Sequence, residues 1–241
     1  MAFRPGIVTA LPREVAVARL RAQVAALEPA GGDPVYQAPE ALAPLLPSGG
    51  LKAGAAYCLT SSALLLSLLA GPSHDGLWCG LVGLPDVGAE AAQLAGVALG
   101  RLALVPDPGT HWLSVVATLA DALPVVGIRP PAAVSPADAS RLAARLRDHE
   151  SVLLVLGPWP GSEATLSLGE PTWAGLGEGW GRLTSRTVSV AVTSKRYPSP
   201  KKARVLLPGT DGRLVAATPA EPAIADLPEE TATQPWLRMV A

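Results

Sequence analysis

Short apolar runs alternate with helical patterns through the middle of this 241-residue sequence, and this order constrains the fold most strongly. Several of the runs lack the polar alternation of a half-exposed strand, as expected for strands that helices cover on both faces. Helices between such strands favour parallel β–α–β units. The sequence therefore predicts an α/β fold with a large, mostly parallel sheet flanked by helices. The predicted strands are 55–59, 77–84, 102–105, 125–128 and 152–156, and the predicted helices are 62–70, 88–99, 110–122 and 136–149.

The pattern changes after residue 156. Residues 165–168 are consistent with a short strand, and a loop rich in glycine and tryptophan is expected from Gly169 to Gly181. Residues 187–193 alternate between apolar and polar side chains, which is typical of a half-buried strand. Residues 203–207 are expected to return beside that strand. The sequence therefore predicts an antiparallel hairpin near the C-terminal end of the core.

Both ends of the chain differ from the core, so we divide the sequence into 1–37, 38–215 and 216–241. The first segment is predicted to hold an amphipathic helix at 12–28 and a linker, and the last to be a flexible acidic tail with an apolar end. The helix stripe packs either on its own domain or on a partner chain. The apolar end either docks into a groove of a partner or ties down the chain terminus. The residues concerned are Val17, Leu20, Val24 and Leu27 in the helix, and Trp236, Leu237 and Met239 in the tail.

Residues 45–66 have the strand–loop–helix order of a P-loop unit without its phosphate-binding residues. The turn after the strand reads Thr60, Ser61 and Ser62, followed by alanine, so it contains neither the glycine nor the lysine of a G-x-x-x-x-G-K-[ST] motif. The three hydroxyls could accept an anion at the helix N-terminus. Their simpler role is to cap that helix.

Taken together, the glycine turn, the degenerate P-loop and the following β–α units resemble the RecA-like ATPase core over about residues 42–207. Residues 79–82 resemble the next strand of that core, and 125–128 lie where its Walker B strand runs. The glycine-rich loop, a basic turn of helix at 182–186 and the strand at 187–193 resemble its DNA-loop region. The resemblance implies a RecA-like fold.

Within that superfamily, a short RecA-like chain without nucleotide motifs is most similar to the ImuA family, in particular its actinobacterial ImuA prime branch. This resemblance implies a damage-inducible accessory factor of error-prone translesion DNA synthesis within the SOS response. The implied partners are ImuB, an inactive relative of Y-family polymerases, and an error-prone replicative-type DNA polymerase, with RecA or DNA as further candidates. The implied location is the cytoplasm, in association with the nucleoid, and no membrane segment is expected.

The residues argue against catalysis. ATP hydrolysis needs a phosphate cradle with a lysine, a carboxylate for Mg²⁺ and a residue that orients water. The Walker B position, 125–129, carries no carboxylate, and Asp86 alone, near the position of the catalytic glutamate, performs no phosphoryl transfer. The histidines lack ligand partners at metal-binding spacing, and the two cysteines fit buried, reduced thiols. We therefore expect a pseudo-ATPase without cofactor or metal.

A basic run without intervening acidic residues follows the predicted loop. Clustered cations beside aromatic residues can contact phosphates and stack bases, which would make the run a DNA contact. Alternatively it is a solvated hairpin tip whose charges protect an edge strand, or a contact for an acidic protein surface. The net charge of −1 excludes a strongly basic protein but leaves such a local patch open. The run consists of Arg182, Arg186, Lys195, Arg196, Lys201, Lys202 and Arg204.

Overall fold

The structure is a computed structural model, and it describes residues 34–176, 181–209 and 211–217. Its strands are β1 (Val35–Tyr36), β2 (Leu51–Lys52), β3 (Ala56–Leu59), β4 (Cys79–Val82), β5 (Leu102–Val105), β6 (Val125–Ile128), β7 (Val152–Leu156), β8 (Ala164–Leu176), β9 (Gly181–Thr193), β10 (Lys201–Leu206) and β11 (Val215–Ala216). Its α-helices are α1 (Ser62–His74), α2 (Ala89–Leu94), α3 (Trp112–Ala122) and α4 (Pro136–Asp148). Short 3-10 helices occupy Ala43–Leu45, Leu99–Arg101 and Gly109–His111.

Most strands form a single large sheet, in the order β11-β10-β9-β8-β3-β7-β6-β4-β5. The neighbours from β8 through β3, β7, β6 and β4 to β5 are parallel. The neighbours from β8 to β11 are antiparallel. This arrangement confirms the predicted α/β class, the mostly parallel sheet and the antiparallel hairpin.

Two layers of apolar side chains cover the parallel strands, one on each face. Tyr57 and Leu81 belong to the core beneath α1 and α2, whereas Cys58 and Leu153 belong to the core beneath α3 and α4. Because both faces of these strands are buried, the side chains on both faces are apolar and the polar alternation of a half-exposed strand is absent. The continuous apolar runs of the sequence therefore reflect a sheet enclosed between helices.

The predicted helix at 88–99 is shorter in the structure. Helix α2 spans only Ala89–Leu94, and Gly96 adopts a positive φ of 95° two residues later. A glycine in this left-handed conformation ends a helix because it turns the backbone away from the helical path. The 3-10 turn at Leu99–Arg101 then leads into β5.

The loop predicted from Gly169 to Gly181 is wrong for its described residues, 169–176 and 181, and the helical turn predicted at 182–186 is wrong. Strand β8 continues to Leu176, and β9 begins at Gly181, so the two form a long antiparallel hairpin. The pairing shifts register between Leu168 and Pro171, which is an irregularity of the β-bulge type. Bulges accommodate glycine and proline within a strand. Because both residues favour loops when read locally, the sequence alone did not predict this part of β8.

Several predictions concern residues outside the described part of the chain. They are the helix at 12–28 with its stripe Val17, Leu20, Val24 and Leu27, the tail beyond 217 with Trp236, Leu237 and Met239, and the loop residue Trp180. Within the described ranges, no helix combines the length and the apolar character that crossing a membrane requires.

Candidate functional site

A cleft opens at the carboxyl ends of the central strands. Its volume is about 830 Å³, and it lies where β3 and β7 end, beside the first residues of β8. Ligands of open α/β sheets bind outside the carboxyl ends of the strands, so this cleft has the position of a binding site. Residues that line it include Thr60, Ser61, Ser62, Arg129, Trp159 and Thr165.

Two of the three hydroxyls in the turn between β3 and α1 bind backbone groups. Ser61 is the N-cap of α1, and its Oγ accepts a hydrogen bond of 3.2 Å from the N–H of Ala63. Thr60 Oγ1 accepts a hydrogen bond of 3.2 Å from the N–H of Leu168 on β8. The side chain of Ser62 is exposed at the first helical position. Ser61 and Thr60 thus have a structural role in joining β3, α1 and β8.

We expect Ser61→Ala to lower the free energy of unfolding by about 1 kcal/mol, because it removes the N-cap acceptor of α1. Ser62→Ala is the matched control, since the exposed Ser62 side chain lies one position further on, outside the cap. Urea denaturation followed by circular dichroism measures both variants. Equal stability of the two variants would contradict a capping role for Ser61.

Arg129 is the charged residue that lines this cleft, and it follows directly after β6. Its Nη1 lies 3.5 Å from Oδ2 of Asp86, and both side chains are exposed, at 45% and 85%. Asp86 therefore pairs with a guanidinium at the rim of the cleft. Its correspondence to the catalytic glutamate of RecA-like ATPases stays a prediction. An ion pair this exposed contributes little to stability.

Trp159 forms one wall of the cleft and is buried. The thiol of Cys58 donates to the carbonyl oxygen of Trp159 at a distance of 3.9 Å, which fixes the turn after β7 against β3. Burial raises the pKa of the Cys79 thiol to about 12, so that group stays protonated and unreactive at neutral pH. Both cysteines are buried and unpaired, as the sequence predicts. The described residues contain no cluster of metal-ligating side chains.

Some members of the predicted basic run make contacts within the protein. Arg186 donates from Nε to the carbonyl oxygen of Leu207 at 2.6 Å, and its guanidinium lies 5.5 Å from the ring centre of Trp173. Arg196 forms an ion pair with Glu163 at 2.9 Å. Lys201 donates to the carbonyl oxygen of Pro44 at 3.3 Å and lies over the ring of Tyr197.

The remaining described cations point to solvent. Lys195 is exposed in the turn between β9 and β10, and Lys202 and Arg204 are exposed on β10. Arg204 pairs in register with Ser189, and Lys202 pairs with Ala191. Arg182 lies in β9, but its side chain is outside the described part. The structure therefore divides the basic run into tethered and free cations.

The free cations on β10 belong to a polar face of the antiparallel strands. Along β9, Val188 and Val190 are buried in the core, and the alternate residues Thr187 and Ser189 face the other way and are only partly buried. Successive side chains of a strand point to opposite faces, so Lys202 and Arg204 lie on the same face as these hydroxyls. We call this surface, Thr187, Ser189, Lys202 and Arg204, the hydroxyl face.

Comparison with known proteins identifies relatives of this chain. Residues 44–161 match the family described as the MT3502 N-terminal domain. Over 157 residues the chain is 36% identical to the uncharacterised protein Rv3395c of Mycobacterium tuberculosis. This alignment covers 61% of the present chain and 73% of the relative. The chain belongs to this family. The matched residues contain β2 to β7 and most of the cleft lining. Ser162 and Thr165 of the lining lie outside the match, as does the hydroxyl face.

Sequence reasoning located the turn at Thr60 but missed two other parts of the cleft. Arg129 and Trp159 come from the ends of β6 and β7, which are far from Thr60 in the sequence. The sequence did contain one signal for these two residues, because Arg129 and Trp159 each follow shortly after a predicted apolar strand. The carboxyl ends of parallel strands meet at one edge of a sheet, which brings such residues together.

Proposed function

We propose that this protein is a non-catalytic accessory factor of damage-induced, mutagenic translesion DNA synthesis, with a RecA-like core of the ImuA type. It acts as a scaffold through contacts with an ImuB-like inactive Y-family polymerase and an error-prone replicative-type DNA polymerase. One observation carries the non-catalytic part of this proposal. The cleft occupies the position of a nucleotide site, but its β3–α1 turn presents Thr60, Ser61 and Ser62 in place of a phosphate-binding loop.

The chemistry of the cleft supports a pseudo-ATPase. Phosphoryl transfer depends on a lysine and a metal-binding carboxylate placed around the phosphates. The described lining of the cleft carries Arg129 as its charged group and includes neither a lysine nor a carboxylate. Ser61 and Thr60 already bind backbone N–H groups. The lining of the cleft therefore supplies no carboxylate to Mg²⁺, and the carboxylate of Asp86 at the rim is paired with Arg129.

The assignment to translesion synthesis rests on the sequence resemblance. The relative Rv3395c is described as uncharacterised, so it supplies no activity. Because a fold alone does not determine function, we assign the partner contacts to surfaces outside the matched residues 44–161. The tail, with Trp236, Leu237 and Met239, is the apolar segment that we assign to the ImuB-like partner.

Capture of an ImuB-like protein tests the proposal. Immobilised full-length protein should retain the partner, and a chain ending at residue 217, which keeps β11, should lose it completely. The triple variant Trp236→Ala, Leu237→Ala and Met239→Ala should show the same loss. A triple replacement of Thr231, Thr233 and Gln234 by alanine is the matched control and should bind normally. Failure of the full-length protein to capture the partner would refute the proposal, and undiminished capture by the shortened chain would move the contact to the core or N-terminal segment.

Nucleotide binding provides a separate test of the pseudo-ATPase. A ligand that binds only the folded state raises the melting temperature, so saturating ATP and Mg²⁺ should leave this temperature unchanged. A dose-dependent rise that Arg129→Ala abolishes would show that the cleft still accepts a nucleotide.

The hydroxyl face supports a second candidate function, a DNA-binding module that modulates RecA-type recombination. Lys202 and Arg204 are exposed beside serine and threonine side chains, and such a surface can contact phosphates without reading bases. Fluorescent single-stranded DNA, titrated over a series of salt concentrations, measures this binding. If this function holds, Lys202→Glu should reduce the salt slope by about one unit. Arg141→Glu, an equal charge change on α4, should leave the slope unchanged, and equal effects would exclude a specific DNA contact.

A further inference from the structure

Strand β5 forms one edge of the large sheet. Among the described residues it pairs only with β4, and its sequence, Leu102-Ala103-Leu104-Val105, contains neither a charge nor a proline. Leu104 is 48% exposed. Natural edge strands are usually protected by charges, bulges or proline, because an open apolar edge recruits another strand. The edge of β5 therefore has the composition of an interface.

The free backbone groups of β5 can be assigned from its pairing. The carbonyl oxygen of Val105 accepts a hydrogen bond of 2.9 Å from the N–H of Gly83, at the end of β4. Backbone groups of successive residues point to opposite sides of a strand. Leu104 and Leu102 therefore direct their N–H and C=O groups away from β4 and toward the open edge.

Opposite charges flank the two ends of this edge. Arg101 precedes β5, and Asp107 follows it closely, and both are exposed. No ion pair involves either residue within the described ranges. The guanidinium of Arg101 lies 5.7 Å from the ring centre of Trp78, which is itself 45% exposed. Asp107 Oδ1 accepts a hydrogen bond of 3.0 Å from the N–H of Gly109, which leaves Oδ2 available.

We propose that β5 pairs antiparallel with β5 of a second copy of this chain and joins the two sheets around a two-fold axis at Leu104. In this register Leu104 lies opposite Leu104 of the second copy, and Leu102 lies opposite Pro106. Two hydrogen bonds join the Leu104 residues, and each Leu102 N–H donates to a Pro106 carbonyl. Proline has no N–H, so Pro106 ends the ladder on both sides.

The charges determine the choice of this partner and this register. With Leu104 on the axis, Arg101, the last residue of the 3-10 turn before β5, comes beside Asp107 of the second copy, which follows the end of its β5. The symmetry forms this ion pair twice. The neighbouring register, centred on Ala103, would place Arg101 opposite Val105 and would move Asp107 to a diagonal position, which weakens the ion pair. A second β5 added in parallel would align Arg101 with Arg101. Self-complementary charge of this kind is the property that an interface with two-fold symmetry requires.

Charge exchange tests the interface, and it does not depend on the proposed function. Sedimentation velocity over a range of protein concentrations should show the full-length protein in a monomer–dimer equilibrium. Arg101→Asp and Asp107→Arg should each raise the dimer dissociation constant by about tenfold or more, because each places two like charges face to face. The double variant should restore the dimer. An equimolar mixture of the two single variants should form a heterodimer, because both ion pairs are then complementary.

Two further variants test whether the dimer forms through the β5 edge or through the opposite edge of the sheet. Leu104→Lys should abolish the dimer, since it places two lysines on the axis, and circular dichroism should show an intact fold because the position is exposed. Val215→Lys is the matched control, an exposed apolar residue of β11 at the opposite edge, and should leave the dimer unchanged. The proposal is overturned if the full-length protein is monomeric at all concentrations. Coverage of the β5 edge by residues 1–33 or by another protein would give this result. It is equally overturned if Leu104→Lys still dimerises or if the mixed single variants do not associate.

Discussion

Leu65→Ala should lower the free energy of unfolding by about 2–5 kcal/mol, because it removes buried methyl groups and leaves a cavity. Leu65 is fully buried on α1, and its δ-carbons face β6 so closely that a Cβ added to Gly127 would lie 3.2 Å from them. The surrounding residues belong to two rigid elements, so the cavity cannot close by a small shift. Urea denaturation, followed by far-ultraviolet circular dichroism, measures the loss.

Two variants control this prediction. Leu99→Ala removes the same atoms from a side chain that is 39% exposed, so the expected change is within about 0.5 kcal/mol. Leu65→Met retains the side-chain volume and should cost less than about 1.5 kcal/mol, which keeps the measurement possible if the alanine variant does not fold. Similar losses in Leu65→Ala and Leu99→Ala would show that α1 does not pack on β6 as described.

The parallel half of the fold was predictable because continuous apolar runs, which consist of neighbouring residues, mark its strands. A strand enclosed on both faces must be apolar at every position, and the stretches at 125–128 and 152–156 meet this condition without interruption. The start of α4 was equally clear, since Ser135 caps it and Pro136 occupies its first turn. Each of these features depends on a few consecutive residues.

The antiparallel half was only partly predictable because its strands depend on partners distant in the sequence. Residues 169–176 contain glycine and proline, which favour a loop when read alone. In the structure they pair with β9 across a register shift, and Trp173 lies beside Arg186. Cross-strand contacts of this kind supply stability that a local reading cannot detect.

The candidate site shows the same division. The absence of a G-x-x-x-x-G-K-[ST] motif around Thr60 can be read directly from the sequence. The cleft, however, also needs Arg129 and Trp159, which the sheet brings to the same edge. The ion pair of Arg129 with Asp86 depends on the neighbouring positions of β4 and β6. Side chains from separate strand ends become a site only after the strand order is known.

Gly83→Ala should cause a large loss of stability at the end of β4, next to the cleft. Gly83 has a φ of 70°, and a Cβ there would lie only 2.6 Å from the carbonyl oxygen of Arg129. That oxygen belongs to the backbone, and the N–H of Arg129 is held by the carbonyl of Val82 at 3.0 Å, so it cannot easily move away. We expect the free energy of unfolding to fall by about 2–4 kcal/mol, the sum of a positive-φ cost and an overpacking cost.

Gly76→Ala separates the two contributions. Gly76 has a comparable φ of 83°, but nothing lies within 4 Å of its added Cβ, so only the conformational cost of about 1–2 kcal/mol applies. Urea denaturation of both variants gives the difference, which isolates the contact between Gly83 and Arg129. Equal losses would show that β4 and the turn after β6 are further apart than described. A larger loss in Gly83→Ala would instead show that backbone contact between these two strand ends fixes Arg129 at the rim of the cleft.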